Sequence, residues 1–235
     1  MSDPALTLSF HDTGRELHGT VRTGMTLLFR AGQPVTVPSP ATFERVGAGW
    51  RAQVAERVDL TFEPTVQAVD LGGANAAIGR VHGSVDKQPV DCIGVVTETI
   101  EPPAWGKLDA LRSLSAVFDG GSAVLALALR PRGARGHGDE RVTGWLVSDG
   151  VAKSLEETRI STVYDGDGRQ RKAGLELWLP AEDFPRRASG SARAGASLTL
   201  EGLRVHAAVF EWHMEGRTGT GSYDVVVREE EPAAA

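Results

Sequence analysis

Short segments in which apolar and polar side chains alternate, or in which apolar ones run together, recur along the whole chain and are separated by glycine, proline and aspartate. They are Ala5 to Phe10, Thr20 to Phe29, Trp50 to Val54, Val58 to Phe62, Ile78 to Val85, Pro89 to Val96, Ser122 to Leu129, Val142 to Val147, Thr158 to Tyr164, Gly174 to Leu179, Ser197 to Leu203, Val205 to Met214 and Ser222 to Val227. A period of two is what strands show, because successive side chains point to opposite faces of a sheet. The breaks at Asp119-Gly120-Gly121, Asp149-Gly150, Asp165-Gly166-Asp167-Gly168 and Glu215-Gly216-Arg217 each supply a glycine where a hairpin needs positive φ. Helical periodicity is almost absent. Leu108, Leu111 and Leu114, following Pro102-Pro103, predict one short helix.

An antiparallel sheet of this many strands must curl or pack, since an open one leaves long edges and an uncovered face. The pattern therefore predicts an all-β barrel or sandwich. Pro102, Pro103 and Gly106 mark a break, which divides the chain into an N-terminal β half over 1–100, a connection over 101–112 and a C-terminal β half over 113–228. The charged and then featureless stretch 229–235 is expected to be a disordered tail. Two strands are informative about their faces. From His206 onward one face holds His206, Ala208, Phe210, Trp212 and Met214, and the other Ala207, Val209, Glu211, His213 and Glu215. Tyr223, Val225 and Val227 oppose Ser222, Asp224 and Arg228. Such strands form a plain amphipathic sheet or line a core on one face and a cavity on the other.

Charge and composition narrow the class of partner. The 235 residues carry 25 Lys+Arg against 31 Asp+Glu, a net charge of −6, which argues against a nucleic-acid surface built on phosphate contacts. The longest clean apolar run, Ala123 to Leu129, is too short to span a membrane as a helix. Met1-Ser2-Asp3-Pro4 lacks the basic and apolar regions of a secretory signal, so a cytoplasmic protein is expected. The single Cys92 builds neither a disulfide framework nor a multi-cysteine zinc site. No phosphate-cradling loop, dinucleotide fingerprint, serine elbow or His-Glu-x-x-His motif is present. His206 and His213 fall on opposite faces of one strand and cannot chelate one ion together. The Asp165 to Gly168 run reads as a hairpin turn rather than a calcium loop, for want of the later ligands. Arg130, Arg132, Arg135 and Arg141 make a local positive patch, either a solvated loop or a site for an anion or partner.

Several stretches resemble a known superfamily. Gly79-Arg80-Val81-His82-Gly83, then Val90-Asp91-Cys92-Ile93-Gly94, then Trp105-Gly106 and Asp109, and finally Glu215-Gly216-Arg217-Thr218-Gly219-Thr220-Gly221-Ser222-Tyr223-Asp224 with Arg228 resemble, in order, the motifs of lipocalin-like β-barrel proteins. That superfamily includes the carotenoid hydratases of the hydroxyneurosporene synthase type and the AttH-like proteins. Where relatives carry an Arg-Asp-x-Ser run before Trp-Gly, this chain has Glu98-Thr99-Ile100-Glu101-Pro102-Pro103-Ala104, so chemistry that relies on the Arg-Asp pair does not carry over. The resemblance implies a lipocalin-like antiparallel barrel in two packed halves, the first partial or reduced. It also implies a cavity for a hydrophobic small molecule and, in enzymatic members, acid-initiated chemistry on alkenes or cyclisation of a folded substrate.

The residues suit such chemistry. A carboxylic acid in an apolar pocket resists ionisation and keeps its proton for an alkene; Glu98, Glu101, Asp109, Glu211 and Asp224 are the candidates, and His82, His206 or His213 is the base that takes the final proton or activates water, with His213 counted among the catalytic set. Aromatic rings, indole best of all, stabilise a carbocation by ~0.5–2 kcal/mol each. Trp105, Trp145, Trp178, Phe210, Trp212 and Tyr223 are therefore the expected substrate-binding set, joined by His82 and His206. The reaction needs no cofactor and no metal. Two functions remain open: a hydratase, isomerase or cyclase for an isoprenoid or polyketide-like molecule, and a carrier of such a molecule. The expected partner is a hydrophobic small molecule, with no nucleic acid and no membrane span, bound by a monomer or homodimer. An enzyme places a carboxylate inside the apolar cavity, whereas a carrier has a uniformly apolar lining. On this reading Trp212→Ala weakens ligand binding far more than it lowers the melting temperature.

Overall fold

A computed structural model describes residues 5–135, 137–180, 182–200 and 202–228; the tail expected at 229–235 lies outside the described residues. The first half contains β1 (Ala5–Asp12), β2 (Leu17–Arg22), β3 (Thr26–Arg30), β4 (Gln33–Val37), β5 (Thr42–Val46), β6 (Gly49–Val54), β7 (Val58–Pro64), β8 (Val69–Asp70), β9 (Ala74–Val85) and β10 (Gln88–Thr99). The second contains β11 (Leu108–Asp119), β12 (Ser122–Pro131), β13 (Arg141–Ser148), β14 (Val151–Ser154), β15 (Glu157–Tyr164), β16 (Gln170–Trp178), β17 (Arg186–Leu200), β18 (Leu203–Met214) and β19 (Arg217–Arg228). Each half is one curled antiparallel sheet. The first has the order β4-β3-β2-β1-β10-β9-β7-β6-β5, with β8 on β9, and the second β14-β13-β12-β11-β19-β18-β17-β16-β15. The lipocalin-like, nearly all-β architecture expected from the pattern is what the chain adopts, and with ten strands the first half is as strand-rich as the second.

Three local expectations are corrected. The Thr20 to Phe29 run is a hairpin, not one strand, because β2 ends at Arg22 and β3 begins at Thr26, with Gly24 in the turn. Ser197 to Leu203 likewise divides at a turn before β18, where Gly202 takes a φ of 76°. The helix expected around Leu108, Leu111 and Leu114 is instead the start of β11. Its period of two buries Leu108, Ala110, Arg112, Leu114 and Ala116 on one side, and pairing with both β12 and β19 supplies the hydrogen bonds an isolated turn lacks. Residues 108–112 thus belong to the second sheet, and the connection is the segment 100–107, with a short 3₁₀ turn at Trp105–Lys107.

Both faces of the central strands are buried. Leu8, Phe10, Val21, Leu60, Phe62 and Val81 fill the first half, and Leu114, Leu175, Leu177, Phe210, Trp212 and Tyr223 fill the second. The opposite faces meet each other in two apolar clusters, one around Val69, Ile78, Val95, Val117, Leu125 and Val147 and one around Leu27, Phe29, Val205, Ala207 and Val209. This arrangement explains the apolar run at Ala123 to Leu129: Val124, Ala126 and Ala128 enter the second core, while Ala123, Leu125 and Leu127 face the first half. A strand covered on both sides loses its alternation. Around the far side of the second sheet, Leu155 N–H donates to the Gly144 carbonyl at 3.0 Å, which draws β15 toward β13 and curls the sheet toward closure. Among the described residues no helix is long and apolar enough to cross a membrane.

Candidate functional site

A cavity of about 380 Å³ lies between the two halves. Its walls come from the faces that the halves turn toward each other. Thr7 and Ser9 of β1 and Val95, Thr97 and Thr99 of β10 oppose Leu111, Ser113 and Ser115 of β11, Leu125, Leu127 and Leu129 of β12, Val205 of β18, and Ser222, Asp224 and Val226 of β19. Both interface clusters contribute walls, so the guest space is the gap left where two apolar sheet faces fail to fill the space between them. Each polar residue is there because it occupies the second face of a strand whose first face builds a core. On β1, for example, Leu6, Leu8 and Phe10 point inward to the first half while Thr7 and Ser9 point across.

Among the described residues, the one ion pair in the wall joins the halves. Arg22 Nη2 at the end of β2 donates to Asp224 Oδ2 on β19. Their side chains retain only 19% and 15% exposure, so this is a largely desolvated pair. Burial pushes the Asp224 carboxyl above the usual carboxylate range, against the opposing pull of Arg22. The second amino group of Arg22, Nη1, is buried without a partner among the described residues and is a donor in reserve for an oxygen of a bound molecule. Hydroxyls extend the polar strip: Ser115 Oγ lies 3.1 Å from Ser222 Oγ, and Ser9 Oγ lies 3.4 Å from Thr20 Oγ1. The entrance is formed by the connection. The Ile100 and Glu101 amides both donate to the Gly73 carbonyl at 2.9 Å, which brings Glu101, Pro103 and half-buried Trp105 to the rim.

No protein-family model and no curated protein matches the sequence. Solved structures do match. An AttH-like protein of Nitrosomonas europaea superimposes with a TM-score of 0.65 at 12% identity, over 97% of this chain and 92% of its own. CghA gives 0.61 at 13% identity over 98% and 90%, and its structure with Sch210972 also matches. Kievitone hydratase of Nectria haematococca gives 0.56 at 11% identity over 96% and 89%. The chain has their lipocalin-like fold. It is the fold of the superfamily that the glycine motifs resemble, and the structure shows what those glycines do. A Cβ on Gly79 would collide with the carbonyl of Glu63, and one on Gly221 with the carbonyl of Ser115. These glycines sit where neighbouring strands approach each other too closely for a side chain, so they serve the packing of the sheets.

Among the expected site residues, Asp224, Glu101 and Trp105 share the cavity, and the others lie elsewhere. Phe210, Trp212 and Tyr223 fill the interior of the second half, with ring centroids 5.3 Å apart for Phe210–Trp212 and 5.4 Å for Phe210–Tyr223. Tyr223 Oη is 2.6 Å from Thr162 Oγ1 and accepts from Arg112 Nη1 at 3.2 Å; burial, the largest influence, raises its pKa. His206 is buried in the same half with Nδ1 2.8 Å from Ser197 Oγ, and desolvation lowers its pKa. The Trp145 indole donates to the Asp70 carbonyl at 2.7 Å and clamps the halves together beside the cavity. Trp178 lies under the Arg159 guanidinium, 5.9 Å from the ring centre. Glu98 lines a separate hollow with Trp50 and Phe62 on the first half. Asp109 accepts the Gly133 amide at 2.8 Å in a turn. Glu211 pairs with Arg193 on the outer surface, where that hydrogen bond holds its carboxyl below the usual range, and exposed His213 stands 3.4 Å from it. His82 is half-buried on β9 opposite Asp91. The Asp165 run is a turn, its Oδ1 accepting the amides of Asp167 and Arg169.

The sequence reading missed Arg22 and the hydroxyls Thr7, Ser9, Ser113, Ser115 and Ser222. Alternation placed the β1 pair opposite its apolar partners, but nothing local signals Arg22, which is 202 residues from Asp224. It also missed His11, next along that face of β1 after Ser9. Among the described residues neither ring nitrogen of this buried imidazole has a partner, and burial, then the neighbouring His18, lowers its pKa to about 3. Because the unfolded chain binds this proton near pH 6.5 and the folded one does not until about pH 3, folding stability is full above that window and falls on acidification through it. The loss approaches ~1.4 kcal/mol per pH unit. Urea unfolding of His11→Phe between those limits is expected to show a shallower pH slope than the native chain; an identical slope would mean that His11 titrates normally.

Proposed function

We propose that the chain is an enzyme that holds an apolar, unsaturated small molecule between its two halves and carries out proton-initiated hydration or cyclisation, with Asp224 as the acid. The observation that carries this reading is the position of that carboxyl: it is buried in the wall of an otherwise largely apolar cavity, with its pKa raised by desolvation. A carboxyl in that setting keeps a proton available, and a general acid of this kind contributes ~10²–10⁴-fold to a rate. In the first step the Asp224 O–H bond breaks and its proton forms a C–H bond at one alkene carbon, leaving a carbocation at the other. Arg22 steadies the carboxylate so formed. Water or a second double bond of the same molecule then attacks the cation, and Asp224 recovers a proton from the adduct, so the enzyme ends as it began and no cofactor is consumed. Ser9, Ser115, Ser222 and the free Arg22 Nη1 are placed to hold the attacking water or a substrate oxygen. Kievitone hydratase, a protein of the same fold, is named for a hydration, which agrees with this class of reaction.

The test is mass spectrometry of small molecules that co-purify with the wild-type chain and with Asp224→Asn. The variant is expected to retain an apolar compound that the wild-type protein converts to a product heavier by one water or isomeric with it. Recovery of the same unconverted compound from both proteins, with no conversion on prolonged incubation, would make the chain a carrier.

A further inference from the structure

The entrance of the cavity has a charge opposite to that of the chain as a whole. A hollow on its rim shares Gly73, Glu101, Pro103 and Leu129 with the cavity wall and adds Lys107 and Arg141. Arg132 and Arg228 stand beside them but are already engaged, since they donate to the carbonyls of Gly106 at 3.5 Å and of Trp105 at 3.0 Å and so brace the 3₁₀ turn. Lys107 and Arg141 are exposed, and among the described residues neither has an ion-pair partner. The nearby carboxylates do not cancel them. Asp109 is occupied by the Gly133 amide, and Glu140, next to Arg141 in sequence, is turned inward and buried against Arg112. Exposed Asp70 is held by the Gly72 amide at 2.7 Å, and among the described residues lining the hollow Glu101 is the one carboxylate.

We propose that Lys107 and Arg141 select the ligand: the cavity takes the apolar body of an acidic amphiphile, and these two cations hold its carboxylate, phosphate or sulfonate at the entrance. The inference rests on the reading that the cavity binds an apolar molecule, and it restricts that reading to anionic ones. It also gives the arginine-rich patch of the sequence a role, with Arg132 as a brace and Arg141 as a contact. An anion held at a solvated rim keeps most of its hydration, so its attraction to the two cations is not offset by a large desolvation cost, and salt screens it over about 8 Å at physiological ionic strength.

Two fluorescent probes with nearly the same rings separate charge from apolar fit: anilinonaphthalene sulfonate and the uncharged N-phenylnaphthylamine. Both are expected to bind the native chain at one site, each displacing the other. The double variant Lys107→Gln/Arg141→Gln is expected to bind the sulfonate roughly tenfold more weakly and the uncharged probe unchanged, and the charge-preserving Lys107→Arg/Arg141→Lys to bind both as the native chain does. Added salt is expected to weaken only the sulfonate. If the double variant binds the sulfonate as well as the native chain does, the selection of anions is wrong while the apolar cavity stands. If the uncharged probe fails to bind, or binds Leu127→Trp as well as the native chain, the cavity reading fails and this inference falls with it.

Discussion

Asp224→Asn is expected to lower turnover of the molecule recovered from the wild-type protein by ~10²–10⁴-fold while leaving the melting temperature at pH 7 unchanged or higher. The two effects share one cause. Burial makes the charged carboxylate costly in the folded chain, which is why its pKa is raised even with Arg22 beside it. A raised carboxyl pKa means that the group's stabilising contribution is complete only below its unfolded value and declines as pH rises through the folded one. Wherever the group is ionised it is a net cost that a neutral amide of the same shape removes, and the amide oxygen still accepts from Arg22. The amide has no proton to give to an alkene. Calorimetry and product analysis on one preparation test both halves of the expectation. A variant with undiminished turnover would remove Asp224 from the chemistry, and a large fall in melting temperature would make the pair with Arg22 structural.

The second large effect belongs to the interior of the second half. Trp212→Ala is expected to destabilise the chain by ~3–5 kcal/mol and to leave ligand affinity, measured on the folded fraction, unchanged. Trp212 is fully buried, stacked on Phe210 and seated over Gly190, where no side chain larger than hydrogen would fit beneath the indole. Its side chain points away from the interface face of β18, which carries Val205, Ala207 and Val209. Truncation leaves a void in a packed core rather than in the binding cavity. This reverses the expectation drawn from the sequence, in which Trp212 served the ligand. Urea unfolding and probe titration together decide it, and lost affinity with retained stability would restore the earlier view.

The contrast between these residues shows what a sequence of this kind makes legible. Alternation along β18 and β19 separates Phe210 and Trp212 from Val209, and Tyr223 from Asp224. It does not say that the face crowded with aromatic rings is the solid one. That depends on the curl of the sheet, which turns one face inward and leaves the flatter face to meet the other half. The same limit applies to the carboxylates. Glu98, Glu211 and Asp224 all occupy strands, and only the docking of β2 and β1 against β19 leaves Asp224 desolvated while Glu211 reaches Arg193 on the outer surface. The β11 strand was hidden for a related reason. Arg112 interrupts its apolar period, and its buried pairing with Glu140, with further hydrogen bonds to Tyr223, Thr162 and the Ile160 carbonyl, lets an arginine occupy a core position. The glycine motifs were legible only through their resemblance to those of lipocalin-like proteins, because the backbone each glycine approaches, such as the Ser115 carbonyl beside Gly221, belongs to another strand distant in sequence.

The most direct test of the interdomain cavity is photolabelling with an apolar molecule bearing a diazirine, followed by peptide mapping. The account predicts crosslinks on the facing strand segments at Val95–Thr99, Leu111–Ser115, Leu125–Leu129 and Ser222–Val226, lost when an excess of the uncharged naphthylamine is present. Labelling concentrated instead on Leu175, Phe210 and Trp212, or on Phe10 and Phe62, would place the guest inside one of the halves and contradict it.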